Sequence, residues 1–210
     1  MVKAIIFDLD GVLVTTDHLH YKAWKKIADE LHMPFDEKMN HQLRGVSRMD
    51  SLEFLLGTRS GEFTDKEKQA LAERKNKLYR RLLEGLSSNN LMHGVSGLLD
   101  SLEGKGIRMA VGSSSKNATF ILEKLGLLDR FDYIVDGNMI QRSKPDPEVF
   151  MKAAEGLNAL PADCLVVEDA AVGVEAALRA GMHVAAIGDA CNSGGVTYHL
   201  KTMEDLLKSI

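Results

Sequence analysis

Val2-Lys3-Ala4-Ile5-Ile6-Phe7-Asp8-Leu9-Asp10-Gly11 is an apolar run that ends in two carboxylates and a glycine. Its apolar part reads as a buried strand, and the acidic pair lies where that strand opens into a loop. Side chains two apart on an extended chain share a face, so Asp8 and Asp10 can reach one cavity, while Gly11 lets the chain turn beside them. A carboxylate pair at such a point can bind a divalent metal, supply a nucleophile, or divide acid and base duties.

Outward from this stretch, Ile107 to Val111, Tyr133 to Val135, Cys164 to Val167 and His183 to Ile187 also have strand character, and helical periodicity separates them. Such alternation predicts an α/β fold with a Rossmann-like parallel sheet core. Between the first two strands lie about a hundred residues of helical pattern, far more than a crossover needs. An inserted helical cap domain over residues 15–91 is therefore expected, with 1–14 and 92–210 forming the α/β core. Inside the insertion, Thr64-Asp65-Lys66-Glu67 has the form of a capping box and predicts a long helix running to about Leu86.

The 210 residues suffice for one large domain or for a core carrying an insertion, and 45% hydrophobic with 27% charged residues is ordinary for a folded chain. A net charge of -4 supplies no basic field for nucleic acid or an anionic membrane. Cys164 in an apolar run and Cys191 in a glycine-rich segment make neither a disulfide framework nor a paired metal spacing. With no signal-peptide pattern and no apolar stretch near the ~20 residues that span a bilayer, the expectation is a cytoplasmic monomer acting on a small molecule.

Three further segments carry chemistry. Gly112-Ser113-Ser114-Ser115-Lys116-Asn117 follows the second strand and precedes a helix, where hydroxyls, free amides and the helix dipole suit a phosphate; ordinary serine capping is the other reading. Lys144, stiffened by Pro145 and Pro147, can neutralise a phosphoryl group. Glu168-Asp169 ends the fourth strand, and oxygen ligands from this loop and from Asp8/Asp10 would make a hard-cation site suited to Mg²⁺. On the long cap helix, Leu71, Lys75, Leu78 and Leu82 fall on one stripe, so Lys75 interrupts an apolar face and either snorkels outward or points into the cleft. His20 and Trp24 share a stripe with Ile27 and Leu31 and face either the cleft or a core.

Asp8-x-Asp10, Ser113, Lys144 and Glu168-Asp169 stand in the order of the four motifs of the haloacid dehalogenase superfamily, which the chain resembles over its whole length. Asp8-Leu9-Asp10-Gly11-Val12, His20, Trp24, Arg44-Gly45-Val46-Ser47-Arg48, Asp50-Ser51-Leu52, Arg74-Lys75-Asn76 and Ser113-x-Ser115-Lys116-Asn117 are similar to its β-phosphoglucomutase branch. That resemblance implies interconversion of β-glucose 1-phosphate and glucose 6-phosphate, with Mg²⁺, a phosphoaspartyl enzyme, and β-glucose 1,6-bisphosphate as intermediate and activator.

It implies Asp8 as nucleophile and Asp10 as acid/base. Mg²⁺ would be held by Asp8, Glu168, Asp169 and the Asp10 carbonyl, and the transferring phosphoryl by Ser113 and Lys144, with Ser114 also among the phosphate-binding residues. Arg48 with Ser115, Lys116 and Asn117 would make a second phosphate site. His20, Trp24, Arg44, Gly45, Val46, Ser47, Ser51, Lys75 and Asn76 would surround the sugar or position Asp10. The chain departs from the branch at Thr15, where an acidic residue is usual, and at Arg44, where a lysine is usual; the first departure bears on cap closure. A phosphatase of the same superfamily and a non-catalytic sugar-phosphate binding module are the competing functions.

Overall fold

The computed structural model describes residues 2–210. Ala4–Phe7 forms β1, and all four side chains are fully buried because a parallel neighbour flanks it on either edge. Those neighbours are β2 (Arg108–Gly112) and β4 (Cys164–Glu168), with β3 (Tyr133–Val135), β5 (His183–Ile187) and β6 (Tyr198–Leu200) completing a six-stranded sheet in the order β3-β2-β1-β4-β5-β6. Every pairing is parallel. The order reverses between β1 and β4, and open sheets of this kind bind ligands in the crevice at the carboxyl ends of the strands there. Phe7 is in register with both Val111 and Val167, so Asp8, Gly112 and Glu168 come to one edge.

Helices α1 (Asp17–Glu30), α2 (Glu37–His41), α3 (Arg48–Leu56) and α4 (Asp65–Leu83) belong to the insertion. Of the rest, α5 (Val95–Gly104), α6 (Ala118–Leu125), α7 (Glu148–Gly156) and α8 (Ala171–Arg179) cover the sheet, and α9 (Leu206–Ser209) closes the chain. Thr64 caps α4 through a reciprocal bond with Glu67, as its sequence predicts, and the helix stops at Leu83 rather than near Leu86. The chain leaves and rejoins the core side by side: Val14 pairs antiparallel with Leu91, and Met92 N–H donates to the Leu13 carbonyl.

Two apolar clusters sandwich the sheet, and a third, built on Trp24, Ile27, Phe35, Leu52, Leu56 and Leu71, holds the cap together. Helix α4 serves both bodies. Leu71 and Ala72 pack in the cap, whereas Tyr79 and Leu83 join the cluster on the sheet. The fully buried stripe is therefore Leu71-Lys75-Tyr79-Leu83; Leu78 and Leu82 are half-buried beside it. Strand β6, a short edge strand, carries too little apolar pattern to be read from the sequence.

Among the described residues, no helix is long and apolar enough to cross a membrane. Both cysteines are free, Cys164 buried in β4 and Cys191 half-buried.

Candidate active site

A cavity of about 780 Å³ lies between the sheet edge and the cap, within the range of sites that enclose a small ligand. Its core wall includes Asp8, Asp10, Ser113, Ser114, Ser115, Lys116, Asn117 and Asp169. Its cap wall includes His20, Trp24, Arg44, Gly45, Val46, Ser47, Arg48, Ser51 and Lys75. Lys144 and Glu168 lie under the floor, fully buried in their side chains. Asn76 is not in the wall: its side-chain carbonyl accepts from Asn117 Nδ2 at 2.9 Å and ties cap to core.

The floor is a charge cluster. Lys144 Nζ donates to Asp8 Oδ1 at 2.5 Å and reaches Glu168 Oε1 at 3.5 Å, with its ammonium over the Phe150 ring. Burial opposes that charge, but Asp8, Glu168 and Asp169 outweigh it and raise the Lys144 pKa. Burial, reinforced by Asp8, pushes Glu168 well above the usual carboxylate range; the same two causes raise Asp169 against the pull of Arg44 and Lys144.

Asp8, Glu168 and Asp169 each offer a carboxylate oxygen within 4.8 Å of the others, and Glu168 Oε2 is buried with no partner among the described residues. Three hard oxygen donors against one ammonium leave excess negative charge that Mg²⁺ fits. Two glycines make this approach possible. A Cβ on Gly11, whose φ is +83°, would meet Asp169 Oδ2 at 2.0 Å, and one on Gly173 would meet Glu168 Oε1 at 1.6 Å.

Asp10 sits apart from this cluster. Its Oδ1 accepts from the Thr16 hydroxyl and from the Thr16 N–H at 3.1 Å. Burial lifts its pKa to about 7, with Asp8 and Asp17 adding to the rise and the Thr16 hydrogen bonds opposing it. Thr15, the departure noted in the sequence, is exposed, while its neighbour Thr16 is fully buried.

At the anion end, Ser113 Oγ accepts from Ser115 N–H at 3.1 Å and Ser115 Oγ accepts from Asn117 N–H at 3.2 Å, which folds the loop over the start of α6. Ser114 Oγ is buried without a partner among the described residues. Ser47 caps α3, and Arg48 in its first turn lines the cavity with no ion pair among the described residues; burial lowers its pKa. Lys75, only 2% exposed, places its ammonium 2.7 Å from His20 Nδ1 and over the Trp24 and Tyr79 rings. Burial and neighbouring Arg48 drive its pKa well below the ordinary value, and burial with Lys75 does the same to His20.

Trp24 thus belongs both to the cap core and to the cavity wall. Arg44 pairs with Asp17 and reaches Asp189 at 3.4 Å and Asp169 at 4.0 Å.

Sequence reasoning passed over Thr16, Tyr79, Asn40, Asp17 and Asp189. Tyr79 was within reach, being four residues from Lys75 on the same helical face. Asn40 lines the cavity and donates to the Asp17 carbonyl at 3.3 Å, but a lone Asn on a short helix gives no pattern to read.

Residues 2–181 match the haloacid dehalogenase-like hydrolase family, and the chain belongs to it, an enzyme with the α/β core and helical cap described above. It is 41% identical over 207 residues to a β-phosphoglucomutase of Bacillus subtilis, an alignment covering 98% of this chain and 92% of that one. It is also 31% identical over 184 residues to a phosphorylated carbohydrates phosphatase of Thermotoga maritima, covering 86% of this chain and 82% of the other. The crystal structure of β-phosphoglucomutase from Clostridium difficile superposes with a TM-score of 0.94 at 36% identity, over 100% of this chain and 97% of that one.

Proposed function

We propose that the protein is a β-phosphoglucomutase, with residues 15–91 acting as a cap over a core made of 1–14 and 92–210. The observation that carries this reading is Arg48, a half-buried guanidinium on the cap wall with no carboxylate partner among the described residues, facing a cavity whose floor already holds Lys144 beside Asp8. A phosphatase needs one phosphate site. A mutase working through a bisphosphate needs a second, and a planar fork able to make paired hydrogen bonds suits it.

Phosphorylated Asp8 would pass its phosphoryl group to the C6 hydroxyl of β-glucose 1-phosphate while Asp10 takes the hydroxyl proton, giving β-glucose 1,6-bisphosphate. After the sugar turns over, Asp8 would attack the C1 phosphoryl, the bond to the C1 oxygen would break, and Asp10 would return the proton to that oxygen. Glucose 6-phosphate leaves and Asp8 is again phosphorylated, so added bisphosphate activates by loading Asp8. A pKa of about 7 suits Asp10 to both proton transfers near neutral pH.

Ser113, Ser114 and Lys144 would hold the phosphoryl in flight, and Arg48 with Ser115, Lys116 and Asn117 the resting phosphate. Asp8, Glu168, Asp169 and the Asp10 carbonyl would hold Mg²⁺, which offsets charge between carboxylate and phosphate. His20 and Lys75 would face the sugar, with Trp24, Gly45, Val46, Ser47 and Ser51 shaping its wall; Arg44 would bind the cap to the core, and Asn76 would brace Asn117.

The test follows glucose 6-phosphate and free phosphate from β-glucose 1-phosphate with Mg²⁺ and a trace of the bisphosphate. The mutase reading requires glucose 6-phosphate well in excess of phosphate, and an Arg48→Ala variant that loses mutase flux more than phosphate release. Phosphate as the main product establishes the phosphatase reading, which the Thermotoga relative favours; no turnover and no phosphoaspartate would leave only binding.

A further inference from the structure

Tyr79 is fully buried, and its hydroxyl has one polar partner among the described residues, Thr16 Oγ1 at 2.6 Å. Thr16 in turn donates to Asp10 Oδ1. A threonine hydroxyl has a single hydrogen, so with that hydrogen on Asp10 the bond to Tyr79 must run the other way, from the tyrosine O–H into the threonine oxygen. Because Asp10 Oδ1 also accepts the Thr16 N–H, two donors converge on one carboxyl oxygen. That oxygen remains an acceptor whether Asp10 is ionised or protonated, so any proton must sit on Oδ2. The chain crosses bodies: Tyr79 belongs to α4 of the cap, Thr16 to the joint, Asp10 to the core loop. Nothing else about Tyr79 requires a hydroxyl, since its ring packs 4.0 Å from His20 and beneath the Lys75 ammonium as a phenylalanine could.

We propose that Tyr79 is a positioning residue which, through Thr16, fixes Asp10 Oδ1 as an acceptor and leaves Oδ2 as the atom that exchanges the proton with substrate. The alignment of the acid/base then depends on where the cap helix stands. This rests on the acid/base role given to Asp10 above.

The test is Y79F, compared on two phosphoryl donors. When acetyl phosphate gives up its phosphoryl group, acetate leaves as a carboxylate and needs no proton, whereas the sugar oxygen leaving a sugar phosphate needs one. Y79F should load Asp8 from acetyl phosphate at the wild-type rate but lose about tenfold in kcat on β-glucose 1-phosphate with KM within threefold. In a Thr16→Val background, Y79F should add no further loss, and Thr16→Ser should restore the rate. Equal losses on both donors would make Tyr79 merely structural; no loss on the sugar, or an additive loss in the Thr16→Val background, would also overturn the proposal. If Y79F does not fold, the Val and Ser variants at Thr16 on the same two donors still decide whether a hydroxyl there is needed. Should the wild type release only free phosphate, the mutase reading fails by itself, and the comparison of donors is made on phosphate release.

Discussion

Lys75→Met should make the protein more stable and much less active. The ammonium is 2% exposed, no carboxylate lies within ion-pair distance among the described residues, and Arg48 repels it. Burying an uncompensated ammonium costs several kcal/mol, about 5. Two ring contacts and the bond to His20 return about 3 kcal/mol of that. The balance of about 2 kcal/mol should appear as a gain of about 4–8 °C in the melting temperature of a chain this size, because methionine fills the space without a charge. The sign fixes the pH behaviour. A lysine whose folded pKa is depressed binds fewer protons folded than unfolded, so its cost is present below the unfolded pKa of about 10.4 and shrinks as pH rises toward it. The Met variant's advantage should be larger at pH 7 than at pH 9.5, read by scanning calorimetry alongside turnover of β-glucose 1-phosphate. A melting point lowered by Lys75→Met, or a gain that does not shrink with pH, would refute the reasoning.

Asp8→Asn should lower turnover by more than about 10³-fold and prevent phosphoenzyme formation in intact-mass spectra. Gly11→Ala should destabilise by about 1–3 kcal/mol and weaken Mg²⁺ binding by calorimetry, since its Cβ would displace Asp169 and the φ of +83° strains any side chain. Saturating Mg²⁺, at a hundred times its dissociation constant, should stabilise by about 2.7 kcal/mol in thermal unfolding; EDTA should reverse the gain, and Asp169→Asn should lose most of it.

Much of the site is legible in the sequence because its core half is made of local signals. Asp8, Ser113 and Glu168 each follow an apolar run that can only be a buried strand, and the parallel order then brings them to one edge. Lys75 is legible for the opposite reason, as a charge where the helical stripe demands an apolar residue. Tyr79 and Thr16 are not, because an aromatic on an apolar face and a threonine in a loop look like filler until the fold joins them. The choice of Leu78 and Leu82 over Tyr79 and Leu83 has a related cause: α4 passes from one apolar cluster to another, and a single straight stripe does not describe a helix with two partners. Asp189 and Arg44, 145 residues apart, meet only because β5 ends beside the cap.

The position of β1 also governs how the protein is made. This strand precedes every other described element in the chain, yet it sits at the centre of the sheet, with β2 beginning at Arg108 on one edge and β4 at Cys164 on the other. At about 5–20 residues per second, roughly 5–20 s of translation pass before the first edge can be covered and about 8–30 s before the second. Throughout that interval Ala4-Ile5-Ile6-Phe7 is an apolar segment with unpaired backbone, in need of shelter, while the cap helices that follow have local hydrogen bonds of their own. Asp8, at the end of β1, is thus made long before Asp169 at the end of β4, and the edge that gathers the two cannot exist until the later strand has arrived.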